Sequence, residues 1–207
     1  MRRYGFTLLQ ALGVLGLIIV VFILWPPHLW PPGRDGTRES KRRIACANNL
    51  KQIALGLKQY SADNNDRFPP VALNTTRISS ARPFGWADAI QPYIKSFQVY
   101  QCRAEPTATS GSPTQVGYTD YWYNMNCAGQ KEKSFTFISM TVITGDGAIG
   151  GGDARYSVTS EPKTTDETSR HLGGNNFAFV DGHVKWYLPG KVTTTPPDGK
   201  NASFAVK

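Results

Sequence analysis

The sequence predicts an α+β fold: an N-terminal transmembrane helix, broken at a proline-rich elbow, then an amphipathic helix packed on an antiparallel β-sheet. Three observations carry this. No charged side chain occurs from Tyr4 to Trp25. Apolar side chains recur at helical spacing from Cys46 to Tyr60. Around Asp181-Gly182, large apolar residues alternate with others at the period of two strands joined by a tight turn.

The first element covers residues 6–25. As a helix, the charge-free stretch from Tyr4 to Trp25 reaches roughly 33 Å at about 1.5 Å per residue, which crosses the hydrocarbon core of a bilayer. A soluble core helix of that length carries a polar stripe, whereas Leu, Val, Ile, Phe and Gly occupy every face here. A cleaved secretory signal ends in small residues of the Ala-x-Ala type, but this run ends in Ile23-Leu24-Trp25-Pro26-Pro27. The segment is therefore expected to remain as a single-pass anchor. Arg2 and Arg3 are expected to hold its N-terminus in the cytoplasm, and Trp25 and Trp30 suit the membrane interface.

Residues 26–36 form the expected elbow. The prolines of Pro26-Pro27 and Pro31-Pro32 remove N–H donors and constrain the residues before them, so no regular helix continues there. An α+β domain is expected over 37–190. It opens with a helix from about Thr37 to Asn64, because Cys46, Leu50, Ile53, Leu57 and Tyr60 line one side. Lys41, Arg42, Lys51 and Lys58 then stay solvated, and Asn64-Asn65-Asp66 with Pro69-Pro70 end the helix.

A striped helix needs a sheet to cover it, and the stretch NNFAFVDGHVKWYL, residues 175–188, supplies a hairpin. Read as a two-residue turn, Asp181-Gly182 pairs Val180 with His183, Phe179 with Val184 and Phe177 with Trp186. Phe177, Phe179, Val184 and Trp186 then share the face that meets the helix. Residues 191–207, with Thr, Pro, Asp, Gly and Lys, read as a flexible tail.

The formal net charge of the 207 residues is +8, but its distribution matters more than its sum. Arg2 and Arg3 precede the apolar run, Arg34, Arg38, Lys41, Arg42 and Arg43 follow it, and the rest is scattered. Basic residues flanking a bilayer account for this pattern, and no nucleic-acid motif accompanies it, so no nucleic-acid partner is expected.

Gly5-Phe6-Thr7-Leu8-Leu9-Gln10, preceded by arginines and followed by the apolar span, resembles the type III signal of type IV prepilins and type II secretion pseudopilins. The segment CANNLKQIALGLKQY, residues 46–60, and GWADAIQPYIKSFQVYQC, residues 85–102, are similar to a bacterial group of prepilin-like proteins with a C-terminal His-x9-Asp-Gly signature. Here that signature is His171, Asp181 and Gly182, within the segment 171–182. The resemblance implies a pilin-like fold and a leader of residues 1–5, cut between Gly5 and Phe6 by a prepilin peptidase that methylates Phe6. It implies an inner-membrane location with the domain in the periplasm, other pilin-like subunits as partners, and a short helix or turn leading into a strand that ends at Cys102. Gln10 stands where the family usually has glutamate, thought to pair with a neighbouring subunit's N-terminal amine. A neutral amide neutralises a buried ammonium poorly, which points to a minor or non-filament subunit.

The remaining motifs are read as structural. Asp181 is explained by its turn and His171 by ordering the loop at Gly173-Gly174, so no catalytic residue is expected. The alternative is an anchored periplasmic enzyme or ligand-binding domain using His171, Asp181 and Asp146. Cys46, Cys102 and Cys127 form no CxxC pair, and no zinc site is expected. Asp146 and Asp153, in TGDGAIGGGD, are the candidates for calcium, though two carboxylates fall short of the six to eight oxygens that ion takes. In an oxidising compartment Cys46 and Cys102 could tie helix to sheet, closing a loop worth roughly 3 to 4 kcal/mol, with Cys127 as the other possible partner of Cys46.

Overall fold

A computed structural model describes residues 8–24, 34–71, 85–104, 110–147, 158–159 and 169–206. By compactness the chain divides into Met1–Thr37 and Arg38–Lys207. Helix α1, Leu8–Leu24, has 17 residues and leaves its side chains from Gln10 to Val21 exposed. Among the described residues no helix is long and apolar enough to cross a membrane. The described part of the span expected over 6–25, α1, is about 25 Å long against a hydrocarbon core of about 30 Å. Phe6, Thr7 and Trp25 lie outside the described residues.

Helix α2 runs over Arg34–Asp63. It therefore takes in residues 34–36 of the expected elbow, while residues 26–33 lie outside the described set. Its stripe packs as the spacing predicts: Cys46, Leu50, Ile53, Ala54 and Leu57 are buried, and Tyr60 packs at the margin of the same cluster. Asn65 and Asp66 turn the chain with φ of 58° and 60°, while Asn64 donates to the carbonyls of Ser61 and Tyr60 and stops the helix. Helix α3, Trp86–Ile94, lays Trp86 and Ile90 into the same core. No strand follows it: Phe97–Tyr100 coil as a 3-10 turn, fixed by the Tyr100 hydroxyl donating to the Ala87 carbonyl at 2.5 Å.

Among the described residues five strands form one sheet: β1 Trp122–Asn124, β2 Val142–Gly145, β3 Val158–Thr159, β4 Asn175–Phe179 and β5 Val184–Tyr187, in the order β3-β1-β2-β4-β5. Pairing is antiparallel across β1, β2, β4 and β5, as expected, but β3 lies parallel to β1 at the edge.

The β4–β5 hairpin differs from its sequence reading by one residue. Phe177 faces Lys185 and Ala178 faces Val184. The Phe179 N–H donates to the His183 carbonyl at 2.9 Å, and the Gly182 N–H donates to the Phe179 carbonyl at 2.8 Å, so the loop is Val180-Asp181-Gly182. A two-residue type I′ turn requires positive φ at both central residues, and here Gly182, at 89°, has it while Asp181 does not. Asp181 instead accepts from the backbone N–H of His183 at 3.0 Å, drawing His183 back into the ladder.

Val184 keeps the α2 face expected of it, while Phe177 and Phe179 change sides. Ala178, Val180 and Val184 pack with α2, where small and branched side chains allow close approach. Phe177 and Phe179 lie in a second cluster, with Trp122, Val142, Val192, Ala202 and Phe204, and Tyr187 beside it. Two aromatics on that side of the sheet need a cover, which the C-terminal segment provides. Of the expected tail, residues 191–206 are therefore not loose: β6, Val192–Thr193, pairs parallel with β7, Ala202–Ser203. The Ser203 N–H donates to the Met140 carbonyl at 2.8 Å, and Asn124 Nδ2 donates to the Phe204 carbonyl at 2.9 Å. The fully buried Phe204 ring lies 5.1 Å from that of Trp122.

Phe204→Ala should therefore lower the unfolding free energy by about 3 to 5 kcal/mol, the usual cost of truncating a buried phenylalanine. The urea midpoint checks this, and an unchanged midpoint would mean that the C-terminal segment does not seal the second core.

Candidate functional site

The polar centre of the domain lies where β2 ends and β4 begins. His171 is wholly buried, with Nε2 3.2 Å from Asp146 Oδ2 and 3.5 Å from Cys102 Sγ, and Nδ1 3.1 Å from Glu39 Oε1. A tight turn delivers it. The His171 N–H donates to the Gly174 carbonyl at 2.9 Å and the Gly174 N–H returns to the His171 carbonyl at 3.0 Å, with Leu172 and Gly173 in the left-handed region. A Cβ at Gly174 would strike the Tyr187 carbonyl and the Trp186 indole, which explains the second glycine. Trp186 Nε1 also donates to the His171 carbonyl at 2.9 Å.

Asp146 is held as firmly. The Asn176 backbone N–H donates to Oδ1 and its side-chain Nδ2 to Oδ2, both at 2.7 Å. Next to it the Arg170 guanidinium donates to the carbonyls of Asp120 and Gly147 at 2.7 Å each. The Asp120 carboxylate accepts from the Cys102 N–H at 2.7 Å.

Cys46 and Cys102 are joined by a disulfide with their Cα atoms 5.5 Å apart. The two are 56 residues apart in sequence, and closing a loop of that size is worth about 4 kcal/mol in the chain-entropy account. The connectivity left open by the sequence is thus Cys46 to Cys102. Cys127 is a buried free thiol whose Sγ lies 3.5 Å from the Val142 carbonyl, and burial pushes its pKa up, leaving it an unreactive thiol.

The structure brings together His171 and Asp146 from the candidate residues, but not Asp181. That residue sits at the opposite end of β4, 2.7 Å from His183 Nδ1, with Gly182 beside Lys58 and Leu55 of α2. The nine-residue spacing of the signature is therefore the length of a strand with a turn at each end, and both turns meet α2. A pocket shared by His171, Asp181 and Asp146 does not form. Surface hollows are lined instead by Arg38, Lys41, Arg42, Ala45 and Arg103, and by Arg43, Asn176, Trp186 and their neighbours.

The Asp146 carboxylate is turned to N–H donors and an imidazole rather than to oxygen ligands, which argues against calcium there, and Asp153 lies outside the described residues. Gly5 and Phe6 also lie outside them, while Gln10 is on α1. Sequence reading missed Glu39 and Asn176. Glu39 had a legible signal, since it precedes Cys46 by seven residues and so lies two turns back on the same helix face.

Burial alone would lower the pKa of His171. The hydrogen bond and charge of Asp146, joined by those of Glu39, outweigh that and hold it above its ordinary value. A group whose folded pKa is raised contributes stability in full below its unfolded pKa, near 6.5, and loses that contribution as pH climbs through the folded value. The gap in urea midpoint between the native chain and His171→Gln should therefore narrow as pH rises above about 6.5. A gap constant from acid to alkaline pH would show that the imidazolium pairing contributes nothing.

No curated protein and no solved structure matches the chain. A family model does match, over residues 36–168, a span that contains α2 from its third residue on, the disulfide and Asp146 and ends shortly before His171. The chain belongs to this family, described as a protein of unknown function (DUF1559).

Proposed function

We propose that the chain is a membrane-anchored, pseudopilin-like structural or interaction protein of a type II secretion or type IV pilus-like system, in a minor or non-filament role and without enzymatic activity. The observation that carries this reading is the succession of a charge-free apolar helix, α1, and a second helix whose apolar stripe is closed by a largely antiparallel sheet. In this reading residues 6–25 insert in the inner membrane, since twenty uncharged, mostly apolar residues reach about 30 Å as a helix. The Cys46–Cys102 bond supports a periplasmic domain, because such bonds persist in oxidising compartments. The hollow lined by Arg38, Lys41, Arg42 and Arg103 suits the anionic headgroups of a nearby lipid surface. The enzymatic alternative is disfavoured, because the buried groups of His171 and Asp146 are occupied by one another and by Glu39 and Asn176.

Two experiments test the proposal. Intact mass measurement of detergent-extracted protein from cells with an active prepilin peptidase should find Met1–Gly5 removed and one methyl group added at Phe6. A retained leader, or recovery of the full chain from a detergent-free soluble lysate, would overturn it. Restoring the carboxylate with Gln10→Glu should give a longer ladder of crosslinked species in membranes, and an unaltered ladder would remove Gln10 as the limit on assembly.

A further inference from the structure

We propose that, when the Cys46–Cys102 bond is open, its two thiolates, His171 Nε2 and Asp146 Oδ2 form a tetrahedral site for Zn²⁺. The two sulfurs and a ring nitrogen of His171 lie within 4.8 Å of one another, and all three residues are buried. Cys102 Sγ is 3.5 Å from Nε2, and Asp146 Oδ2 is 3.2 Å from the same nitrogen. Tetrahedral zinc with bonds of about 2.3 Å to sulfur and about 2.0 Å to nitrogen or oxygen spaces its ligand atoms about 3.5 Å apart for S and N and about 3.3 Å for N and O. Those edges of the tetrahedron already exist. The sulfurs must separate to about 3.8 Å, for which the Cα separation of 5.5 Å leaves room by side-chain rotation, and the Asp146 carboxylate must draw closer to them, since it lies outside the trio whose ligand atoms are within 4.8 Å of one another.

The surroundings are those of a metal site. Glu39 Oε1, 3.1 Å from His171 Nδ1, is placed to hold the proton on that nitrogen, so that Nε2, which faces the sulfur and Asp146, would bind the metal once its own proton is displaced. Asn176 fixes the Asp146 carboxylate through two 2.7 Å hydrogen bonds. Side-chain exposure is nil at His171 and Asp146, so water does not compete for the metal. Cys127 has no part in it.

Opening requires a dithiol reductant. Two electrons pass to the disulfide, the Cys46–Cys102 bond breaks, the reductant's own two sulfurs join, and its two protons go to the new thiols. Zn²⁺ then displaces those protons, and any on Nε2, to solvent. The metal would keep α2 fastened to the sheet in the reduced chain and would shield the sulfurs from reoxidation.

The test uses the full chain in detergent micelles, reduced by dithiothreitol without denaturant and desalted anaerobically. Thiol counts taken in denaturant should rise from one per chain to three. Titration with Co²⁺ should then produce thiolate-to-cobalt charge-transfer bands and the intense visible bands of tetrahedral cobalt, saturating at one ion per chain and bleached by Zn²⁺. Cys127→Ala should keep these bands, the disulfide-bonded chain should lack them, and Asp146→Asn or His171→Gln should lose or weaken them. Because the native chain is compared with itself in two redox states, the result does not depend on a variant folding. A disulfide that dithiothreitol cannot open in the folded chain, a reduced chain that gives no tetrahedral cobalt spectrum, or a spectrum indifferent to both Asp146→Asn and His171→Gln would each overturn the proposal.

Discussion

One buried imidazole holds the domain together at the point where its layers would otherwise part. His171 reaches Asp146 beside the sheet and Glu39 on α2, and it lies against the bond between Cys46 on α2 and Cys102 after α3. Each of these groups loses water on folding, a penalty of several kcal/mol per ion that only full pairing offsets. The pairing here is full: both imidazole nitrogens and both Asp146 oxygens are engaged. Such a cluster adds little to net stability over a well-packed apolar core of the same size. What it gives is registry, because a shift of any one element would leave buried groups of the others without their partners.

Registry matters because the sheet has two apolar sides. On one, Ala178, Val180 and Ile143 receive the stripe of α2. On the other, Phe177, Phe179 and Trp122 are covered by Val192, Ala202 and Phe204. A strand that is apolar on both faces does not choose a face by hydrophobicity alone, since a one-residue slip exchanges one buried set for the other. The two ends of β4 make the choice. His171 and Asn176 reach Glu39 and Arg43, and the Gly182 turn comes down beside Leu55 and Lys58.

The same property decides what could be read from the sequence. The stripe of α2 was legible because its opposite face is charged, so the pattern has one solution. The hairpin was legible as an element, but its register was not. Asp181-Gly182 fits both a two-residue and a three-residue loop, and alternation could not say which of two apolar faces belongs to the helix. The C-terminal segment looked loose because Val192, Ala202 and Phe204 are isolated among polar residues, and their value appears only once an aromatic face awaits a cover. Of the site, His171 and the cysteines were visible as residues. Their convergence was hidden by separations of 56 residues between the cysteines and 132 between Glu39 and His171, and a metal-ligand set so dispersed has no spacing to recognise.

Those separations also govern how fast the native state can be reached. Contacts between Glu39 and His171, and between Arg43 and Asn176 at a separation of 133, join the beginning of the domain to its last hairpin. Closing so long a loop costs entropy before any contact compensates for it, which slows the last step of assembly. Until then the bare stripe of α2 is open to the wrong partners. Early oxidation of Cys46 with Cys102 would shorten the search, since it fastens Cys102 to the helix before His171 has emerged to meet them. The kinetic hazard of this architecture therefore falls in the interval between synthesis and the arrival of an oxidant.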